Sequence, residues 1–428
     1  MSFSDIAHLK DTVIDLSTPS NVQTFLEKHK IYGDAAYKPS RVMRLALFLL
    51  TNIKTGTIHF TLPDGHTVKF TGDHEGPHGE VTIHNERAVR RFLIGGHLGW
   101  CESYLERDWS SPDMAAFFEV ILRNADTMRS TFSGRPWVRF LSRVIHNFRA
   151  NTVRGSRKNI YAHYDIGNDF YKKWLDRSMT YSSALFKKDD DSLEDAQTQK
   201  YKAMEDSLML KDGMSVLEIG CGWGGFAEFL GRNNNVSLKS ITISPSQYAY
   251  ASKRMKDCGL RENVEIILQD YRKVEGRFDR IASIEMFEAV GEKYWPLFFN
   301  KISRLLKPEG KAVIQTITIS DAYFSMYRKQ ADYIQRYIFP GGMLPSLSRF
   351  KEEASKAGLK TGEPLEFGKS YAKTLAIWNK RFQKSWDDLQ QTGFDERFKR
   401  LWEQYLAYCQ AGFAAGNLSV MQIPLYKI

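Results

Sequence analysis

Residues 214–232 read MSVLEIGCGWGGFAEFLGR, and the interpretation of the whole chain starts from them. An apolar strand-like run, MSVLEI, leads into a turn with four glycines, and the following FAEFLGR has the pattern of a helix. Glycines at such a turn let a ligand approach the backbone closely, and the start of the helix offers free N–H groups. The sequence therefore predicts a nucleotide-like ligand at residues 220–225.

Strand and helix continue to alternate after this turn. The runs LKSITI, VEIILQ, RFDRIASI and KAVIQTI read as four more strands separated by helical segments. This order predicts an α/β fold with a doubly wound, mostly parallel sheet. After the fifth strand, an insertion at about residues 320–350 is rich in Tyr, Phe and Arg, and we expect it to cover the site as a lid.

The glycine turn fits two known patterns. Counted from Gly220 it satisfies the dinucleotide pattern G-x-G-x-x-G, and counted from Glu218 it satisfies E-x-G-x-G-x-G. A dinucleotide site needs an acidic residue about 20 positions further on, but residues 229–256 contain no Asp or Glu. The second pattern resembles that of S-adenosylmethionine (SAM) methyltransferases, so SAM is the favoured ligand.

The N-terminal part has a different organisation. Residues 55–94 hold short β-type runs broken by turn signals, and residues 95–124 hold two helical patterns. Together they predict a smaller α+β domain over residues 1–125. Residues 126–158 predict a basic amphipathic linker helix that either packs on a domain or helps hold anionic lipid head groups. Residues 159–428 would then form the catalytic domain.

Composition narrows the class of protein. Of 428 residues, 43% are hydrophobic and 26% charged, which is ordinary globular usage, and no uncharged apolar window of about 18 residues predicts a spanning helix. The first 17 residues carry acidic side chains and do not read as a secretory signal. Four scattered cysteines favour the reducing cytoplasm, without disulfides or a metal site. A net charge of +10 favours an anionic partner.

Several motifs between about residues 159 and 382 resemble the cyclopropane-fatty-acyl-phospholipid synthases and the related mycolic acid cyclopropane synthases. They are YAHYDIGNDFYKKWLDRSMTYSSALF, VLEIGCGWGG, ITISPSQ, EMFEAVG, YIFPGGMLP and KSYAKTLAIW. Residues 40–125 are similar to the N-terminal lipid-binding domain of the phospholipid-acting members. The resemblance implies a seven-stranded SAM-methyltransferase sheet and SAM as the methyl donor.

The resemblance also implies which residues line the cofactor site. They come from the MTYSS segment, the glycine turn, the TISPSQ segment and the QDYRKV segment: Tyr181, Ser182, Gly220, Gly222, Thr242, Gln247 and Tyr271. Glu218 and Gly224 join them as members of the glycine-turn pattern. Polar side chains would hold the amino acid and ribose, and an aromatic ring would cover the base.

The same resemblance implies a base for the reaction. Methyl transfer to an alkene leaves a carbocation, and ring closure then removes a proton from the added methyl group. In the family a bound bicarbonate supplies this base, and the matching residues here are Glu288, Tyr371, Ser183, Gln315 and Ile317. Two of them depart from the family pattern, since Ser183 stands where many members have Cys and Gln315 where many have His. Gln315 cannot carry a proton.

The implied activity is the formation of cyclopropane fatty acids on unsaturated phospholipid acyl chains. A rival reaction loses its proton differently and gives methyl-branched or methylene chains. A non-catalytic lipid-binding protein and a nucleic-acid methyltransferase are less favoured, because the glycine turn is intact and no base-flipping motif occurs. We therefore expect no nucleic-acid partner. The resemblance further implies a homodimer in the cytoplasm, bound peripherally to an anionic surface on the inner face of the membrane.

Overall fold

A computed structural model describes residues 13–18, 20–24, 40–127, 166–329 and 331–427. The contacts divide the chain into two compact units. The first comprises the described residues within Met1–Arg157 together with Phe394–Ala415, and the second comprises Lys158–Gly393 together with Gly416–Ile428. The expected linker helix lies outside the described residues from position 128 onward.

The first unit is built on a five-stranded sheet of order β1-β3-β2-β4-β5. Its strands are β1 (Val13–Asp15), β2 (Thr55–Thr61), β3 (Thr67–Thr71), β4 (His74–Ile83) and β5 (Trp109–Ser110), and its helices are α1 (Arg41–Leu50), α2 (Arg87–Leu105) and α3 (Met114–Arg123). Strands β2 and β3 alternate buried and less buried side chains, as expected for a sheet with one face on a core. This sheet matches the β-type runs expected in this region.

The second unit contains the remaining strands and most of the helices. The strands are β6 (Ser215–Ile219), β7 (Ser237–Thr242), β8 (Val264–Leu268), β9 (Phe278–Ile284), β10 (Leu306–Ile319), β11 (Leu359–Thr361), β12 (Leu365–Glu366) and β13 (Leu418–Lys427). The helices are α4 (Asn168–Lys172), α5 (Leu193–Leu208), α6 (Gly225–Asn233), α7 (Pro245–Asp257), α8 (Trp295–Leu305), α9 (Asp321–Tyr327), α10 (Tyr333–Tyr337), α11 (Leu347–Lys356), α12 (Gly368–Lys384) and α13 (Trp386–Gln391).

These strands form one sheet of order β11-β13-β10-β9-β6-β7-β8, to which the two-residue β12 adds beside β13. Strands β6 to β10 pair in parallel, and β13 is antiparallel to β10. The predicted α/β fold, with a doubly wound and mostly parallel sheet, is confirmed. Consecutive residues are buried at 216–219 in β6 and at 310–316 in β10, as expected for strands of a sheet that helices cover on both faces.

The strand order reverses between β6 and β9. From β6 the chain proceeds outward through β7 and β8, whereas β9 leads to β10 on the other side. In open α/β sheets, ligands bind in the crevice beyond the carboxyl ends of the strands at such a reversal. Gly220 follows β6 directly and Glu285 follows β9 directly, so both residues lie at this crevice.

A cluster of aromatic rings anchors the segment after β9. Phe287 is fully buried, and its ring centroid lies 4.9–5.5 Å from those of Trp295, Phe298, Phe299 and Phe350. Burying a phenylalanine side chain contributes roughly 1.5–3 kcal/mol. Because Phe287 is held in this way, the backbone on both sides of it, at residues 285 and 288, has a fixed position.

The long helix α14 (Glu396–Ala414) belongs to the first unit, although the sequence analysis placed it in the catalytic domain. The Tyr408 ring packs edge-on against Phe118 of α3, and Arg400 Nε donates to the Tyr104 carbonyl at 2.7 Å. Residues of the first unit therefore cover the apolar face of α14. Local sequence patterns do not identify such distant partners. Among the described residues, no helix has the length and apolar character needed to cross a membrane.

Candidate active site

The glycine turn adopts a backbone that other residues rarely reach. Gly220, Gly222 and Gly224 have φ of 90°, 51° and 83°. A Cβ atom on Gly220 would lie 3.0 Å from the Met286 side chain, which is tighter than normal contact. Helix α6 then begins at Gly225, with its first N–H groups at the sheet edge. The turn therefore offers the open backbone cradle that the sequence predicted for a SAM-type ligand.

Glu218 lies inside the sheet next to this turn. Ser240 Oγ on β7 donates to Glu218 Oε2 at 2.6 Å. Burial raises the pKa of the Glu218 carboxyl to about 7, and the bond from Ser240 opposes this rise. The residue that completes the glycine pattern is thus a buried carboxyl whose protonation is balanced near neutral pH.

The remaining residues expected beside the adenosine follow β7 and β8 at the same sheet edge. Thr242 Oγ1 donates to Gln247 Oε1 at 2.8 Å, which fixes both side chains. Tyr271 is half-buried, with its ring centroid 5.6 Å from that of Phe298. At this edge Ile243 is 74% exposed, an apolar contact surface that the sequence analysis missed.

The segment before α5 brings Tyr181 and Ser182 to the site. The Tyr181 ring lies 6.3 Å from that of Phe339 in the insertion and 5.5 Å from that of Trp378. Ser182 Oγ accepts a hydrogen bond of 2.8 Å from Lys200 Nζ. Lys200 is fully buried, and this burial lowers the pKa of its ammonium group to about 7. The sequence analysis did not identify Lys200, because helical periodicity does not separate a buried lysine from an exposed one.

The residues expected to hold bicarbonate come together around two buried carboxyls, and we call this group the carboxyl cluster. Its members are Ser183, Glu285, Glu288, Gln315, Ile317 and Tyr371. They come from the segment before α5, the segment after β9, strand β10 and helix α12. The sequence analysis named five of these residues and missed Glu285.

Glu285 is the centre of the carboxyl cluster. Its Oε1 accepts hydrogen bonds of 2.8 Å from the Ser183 N–H and of 2.8 Å from Gln315 Nε2. Its Oε2 accepts a bond of 2.7 Å from the Tyr371 hydroxyl. Burial raises the pKa of Glu285, and these three donors act in the opposite direction by stabilising the charged form. The two departures from the family pattern, Ser183 and Gln315, thus bind the same carboxylate oxygen.

Glu288 is less well partnered than Glu285. Its Oε1 accepts bonds of 2.5 Å from the Ile317 N–H and 3.0 Å from Thr316 Oγ1. Its Oε2 is buried without a hydrogen-bond partner among the described residues. Burial, and then the neighbouring Glu285, raise the pKa of Glu288 to about 8. At neutral pH this carboxyl is therefore mainly protonated.

The orientation of the Gln315 amide is set by a second glutamine. Gln422 Nε2 on β13 donates to Gln315 Oε1 at 3.1 Å and also to the Lys200 carbonyl at 3.1 Å. Because Gln315 Oε1 is used as an acceptor, its NH₂ group faces Glu285. Gln315 is thus fixed as a donor to the carboxylate.

Glu285 has an unusual backbone for its residue type. Its φ is +48°, in the left-handed region that favours glycine. A residue with a side chain in this region costs roughly 1–2 kcal/mol. Such strain persists where the surrounding structure enforces it, and it often marks a functional position.

Bicarbonate does not fit this arrangement. The groups expected to bind it are already paired within the protein, since Ser183, Gln315 and Tyr371 donate to Glu285 and the Ile317 N–H donates to Glu288. A bicarbonate ion would have to displace a buried carboxylate from its three donors. The residues of the glycine turn, in contrast, fit a SAM-type ligand.

The insertion at residues 320–350 touches the carboxyl cluster directly. The Met343 N–H donates to the Glu288 carbonyl at 2.8 Å, and Gln335 Nε2 donates to the Gly342 carbonyl at 2.9 Å. These bonds tie helix α10 and the PGGM turn to the segment after β9. The segment that we expected to act as a lid therefore supports the backbone beside Glu288.

Within the described part of the first unit, one group of side chains has the chemistry of metal ligands. His59, His78 and Glu80 each offer one ligand atom, and these atoms all lie within 4.8 Å of one another. His78 and Glu80 are exposed. The sequence analysis expected no metal site and did not identify this group, because its members alternate on two neighbouring strands.

Comparisons with known proteins identify similar sequences and folds. The sequence model of the mycolic acid cyclopropane synthetase family matches residues 151–423. Tuberculostearic acid methyltransferase UfaA1 of Mycobacterium tuberculosis is 36% identical over 364 residues, covering 81% of this chain and 82% of the relative. Cyclopropane-fatty-acyl-phospholipid synthase of Escherichia coli K12 is 35% identical over 348 residues, covering 80% of this chain and 87% of the relative.

Solved structures with a similar fold come from the same group of proteins. The cyclopropane synthase MmaA2 from Mycobacterium tuberculosis is 29% identical with a TM-score of 0.59, covering 63% of this chain and 98% of that chain. The same values describe mycolic acid cyclopropane synthase CmaA1 in complex with S-adenosylhomocysteine (SAH) and CTAB. The resemblance inferred from the motifs is confirmed, and SAM is supported as the methyl donor.

Proposed function

This chain belongs to the mycolic acid cyclopropane synthetase family, and we propose that it transfers the methyl carbon of SAM to the double bond of unsaturated phospholipid acyl chains, forming cyclopropane fatty acids. One observation carries the proposal. The glycine turn after β6 and the carboxyl cluster after β9 meet at the crevice where the strand order reverses. A site for a methyl donor and a site for a proton acceptor thus lie side by side.

The chemistry needs both sites. An alkene is a weak nucleophile, so the protein must hold its π bond close to the sulfonium methyl in a dry pocket, and such positioning supplies roughly 7–11 kcal/mol. After methyl transfer the acyl chain carries a positive charge, which aromatic faces such as Tyr181 stabilise. Removal of a proton then closes the ring, and the buried carboxyls are the acceptors available for it.

Several features support a phospholipid substrate at a membrane surface. The relative from Escherichia coli is named for fatty-acyl phospholipid, and its match extends over 80% of this chain, which is more than the catalytic domain alone. A net charge of +10 favours an anionic surface. We include in the proposal peripheral association with the inner face of the membrane and a homodimer that involves the N-terminal unit. Bicarbonate is left out, because its expected partners are bonded to Glu285 and Glu288.

The test is direct. Purified protein is incubated with methyl-¹³C SAM and vesicles of mono-unsaturated phospholipid, and the acyl chains are analysed by mass spectrometry and NMR. We expect a gain of one labelled carbon per modified chain and the upfield proton signals of a cyclopropane ring. Unlabelled acyl chains under all conditions would contradict the proposed function.

A second product is favoured by one comparison. The relative from Mycobacterium tuberculosis is named a tuberculostearic acid methyltransferase, which points to methyl branching rather than ring formation. The same cation would then undergo a hydride shift and lose its proton to give a methylene chain, and a separate reductase would be needed to give the saturated methyl-branched chain. Olefinic proton signals on a labelled methylene group would select this product over the cyclopropane.

A further inference from the structure

The structure holds a carboxylate where the resemblance requires an anion. Of the five residues expected to bind that anion, three donate to Glu285 at 2.7–2.8 Å, namely Ser183 through its N–H, Gln315 and Tyr371. The Ile317 N–H donates to the fifth, Glu288. The three donors to Glu285 come from three separated parts of the chain, so their convergence on one carboxylate is a property of the folded site. Glu285 itself is half-buried, while Ser183, Gln315 and Tyr371 are buried.

We propose that the Glu285 carboxylate replaces bicarbonate in this protein and is itself the proton acceptor of the reaction. This inference rests on the proposed function and names the base of that reaction. One departure from the family pattern supports it. Gln315 stands in place of His, and it acts as a fixed donor to Glu285 because Gln422 holds its oxygen. Ser183 uses its backbone N–H for Glu285 and its hydroxyl for the Ala184 carbonyl.

Charge separates the two glutamates of the cluster. Two adjacent buried carboxyls do not both ionise readily, so one of them keeps a proton. Glu285 receives three donors, whereas Glu288 has a buried Oε2 without a partner among the described residues. Lys200 adds positive charge that favours the ionised form of Glu285. Burial raises the pKa of both carboxyls, but the three donors make Glu285 the member that ionises more readily. Glu285 is therefore the acceptor, and Glu288 is the member that keeps the proton.

The Glu285 carboxylate still has room for a proton. Two carboxylate oxygens offer about four lone-pair positions, and three are used by the donors described above. Oε2 accepts only the Tyr371 bond among the described residues, so the open position is on Oε2.

The reaction then balances. The alkene π electrons form a bond to the methyl carbon as its bond to sulfur breaks, and the sulfur keeps that electron pair. The C–H pair of the added methyl next forms the ring bond, and its proton moves to Glu285 Oε2. The proton leaves to solvent before the next turnover, so alkene and SAM give cyclopropane, SAH and one proton.

The experiment compares two substitutions that remove the carboxylate but differ in size. Glu285→Gln keeps the volume, whereas Glu285→Gly leaves a cavity and suits the left-handed backbone. Turnover is measured in bicarbonate-free buffer and with added bicarbonate or formate, and SAH binding is measured by calorimetry as a check on folding. Binding of ¹³C-labelled bicarbonate to the SAH complex is followed separately by NMR.

We expect wild-type turnover to change less than twofold with bicarbonate, and wild-type protein to show no saturable bicarbonate binding. Glu285→Gln should lose at least 100-fold in turnover with SAH affinity within threefold, without rescue. Glu285→Gly should recover at least tenfold with formate or bicarbonate. Wild-type turnover that requires bicarbonate, saturable binding to wild-type protein, or a Glu285→Gln variant within threefold of wild type would overturn the inference. Wild-type protein that never labels lipid refutes the proposed function instead, and the NMR titration still tests the anion site.

Discussion

The glycine turn and the carboxyl cluster lie at the same sheet edge, but they are built in different ways. The turn is made of consecutive residues, and its shape follows from three glycines with positive φ. The cluster is made of single residues from distant parts of the chain, held by side-chain hydrogen bonds into a buried space. A local backbone feature can be predicted from local sequence, whereas a cluster of this kind depends on the completed fold.

The largest expected effect is a loss of turnover from a change in the carboxyl cluster that leaves the glycine turn intact. Tyr371→Phe removes the donor to Glu285 Oε2, and because the carboxylate is then less stabilised, its pKa rises further. We expect turnover to fall about 100-fold, with SAM affinity unchanged and the acidic limb of the pH–rate profile displaced to higher pH. Steady-state kinetics measured against pH give the turnover and the pH–rate profile. Calorimetry with SAH reports on the affinity of the cofactor site.

Tyr426→Phe is the matched control for this substitution, because Tyr426 lies on β13 with its side chain 40% exposed. It should retain wild-type kinetics. Equal losses of SAM affinity and turnover in Tyr371→Phe would mean that Tyr371 holds the fold rather than the carboxyl.

The next effect tests the glycine turn. Gly220→Ala places a Cβ at φ +90° and 3.0 Å from Met286, so the turn must shift from its ligand-ready shape. We expect SAM affinity to fall about tenfold, since roughly 1–2 kcal/mol of backbone strain is added. Gly276→Ala is the control, because Gly276 has φ +95° with nothing within 4 Å of its Cβ. It should leave SAM affinity unchanged, and equal losses in both variants would point to general destabilisation.

A smaller effect links the two regions through Lys200. Lys200→Met removes a positive charge that lowers the pKa of both Glu218 and Glu285. Turnover at pH 7 should fall by roughly three- to tenfold, and the loss should shrink as the pH rises and the carboxyls ionise. Lys202→Met on the same helix, with 54% of its side chain exposed, should show no such pH-dependent loss.

The last effect is on stability rather than on activity. The folded pKa of Glu218 is about 7 and the ordinary pKa of a glutamate is 4.5, so the folded state keeps a proton that the unfolded state loses between these values. Stability contributed by this proton is present at low pH and is lost as the pH rises from about 4.5 toward 7. Glu218→Gln cannot titrate, so its stability relative to wild type should rise by about 3 kcal/mol over this range. Urea unfolding at pH 5 and pH 8 measures the difference, and parallel curves would contradict it.

The sequence predicted the parallel sheet and the glycine turn because both depend on short apolar runs and glycines in order. It also named five members of the carboxyl cluster through the family resemblance. Glu285 was missed although it stands in the same EMFEAVG motif as Glu288. The role of Glu285 depends on hydrogen bonds from Ser183, Gln315 and Tyr371, which lie 30 to 102 positions away in the sequence. The departure at Gln315 was the available signal, because a changed binding group implies a changed partner.

The sequence analysis missed the burial of Lys200 and assigned helix α14 to the wrong unit, and the physical reason is the same. Lys200 reads as an ordinary polar position of a helix, and its burial follows only from the packing around it. Helix α14 follows the catalytic helices in sequence, yet its apolar face packs against α3 of the first unit. Tertiary contacts of this range leave no local pattern.

The left-handed backbone at Glu285 has a consequence for how this site changes over generations. Both glutamate codons become glycine codons by a single base substitution, and glycine is the residue that this backbone accepts with least strain. One mutational step thus connects a protein that carries its own anion with one that must borrow a small anion from its surroundings. A lineage could move between these two states, in either direction, without rebuilding the fold.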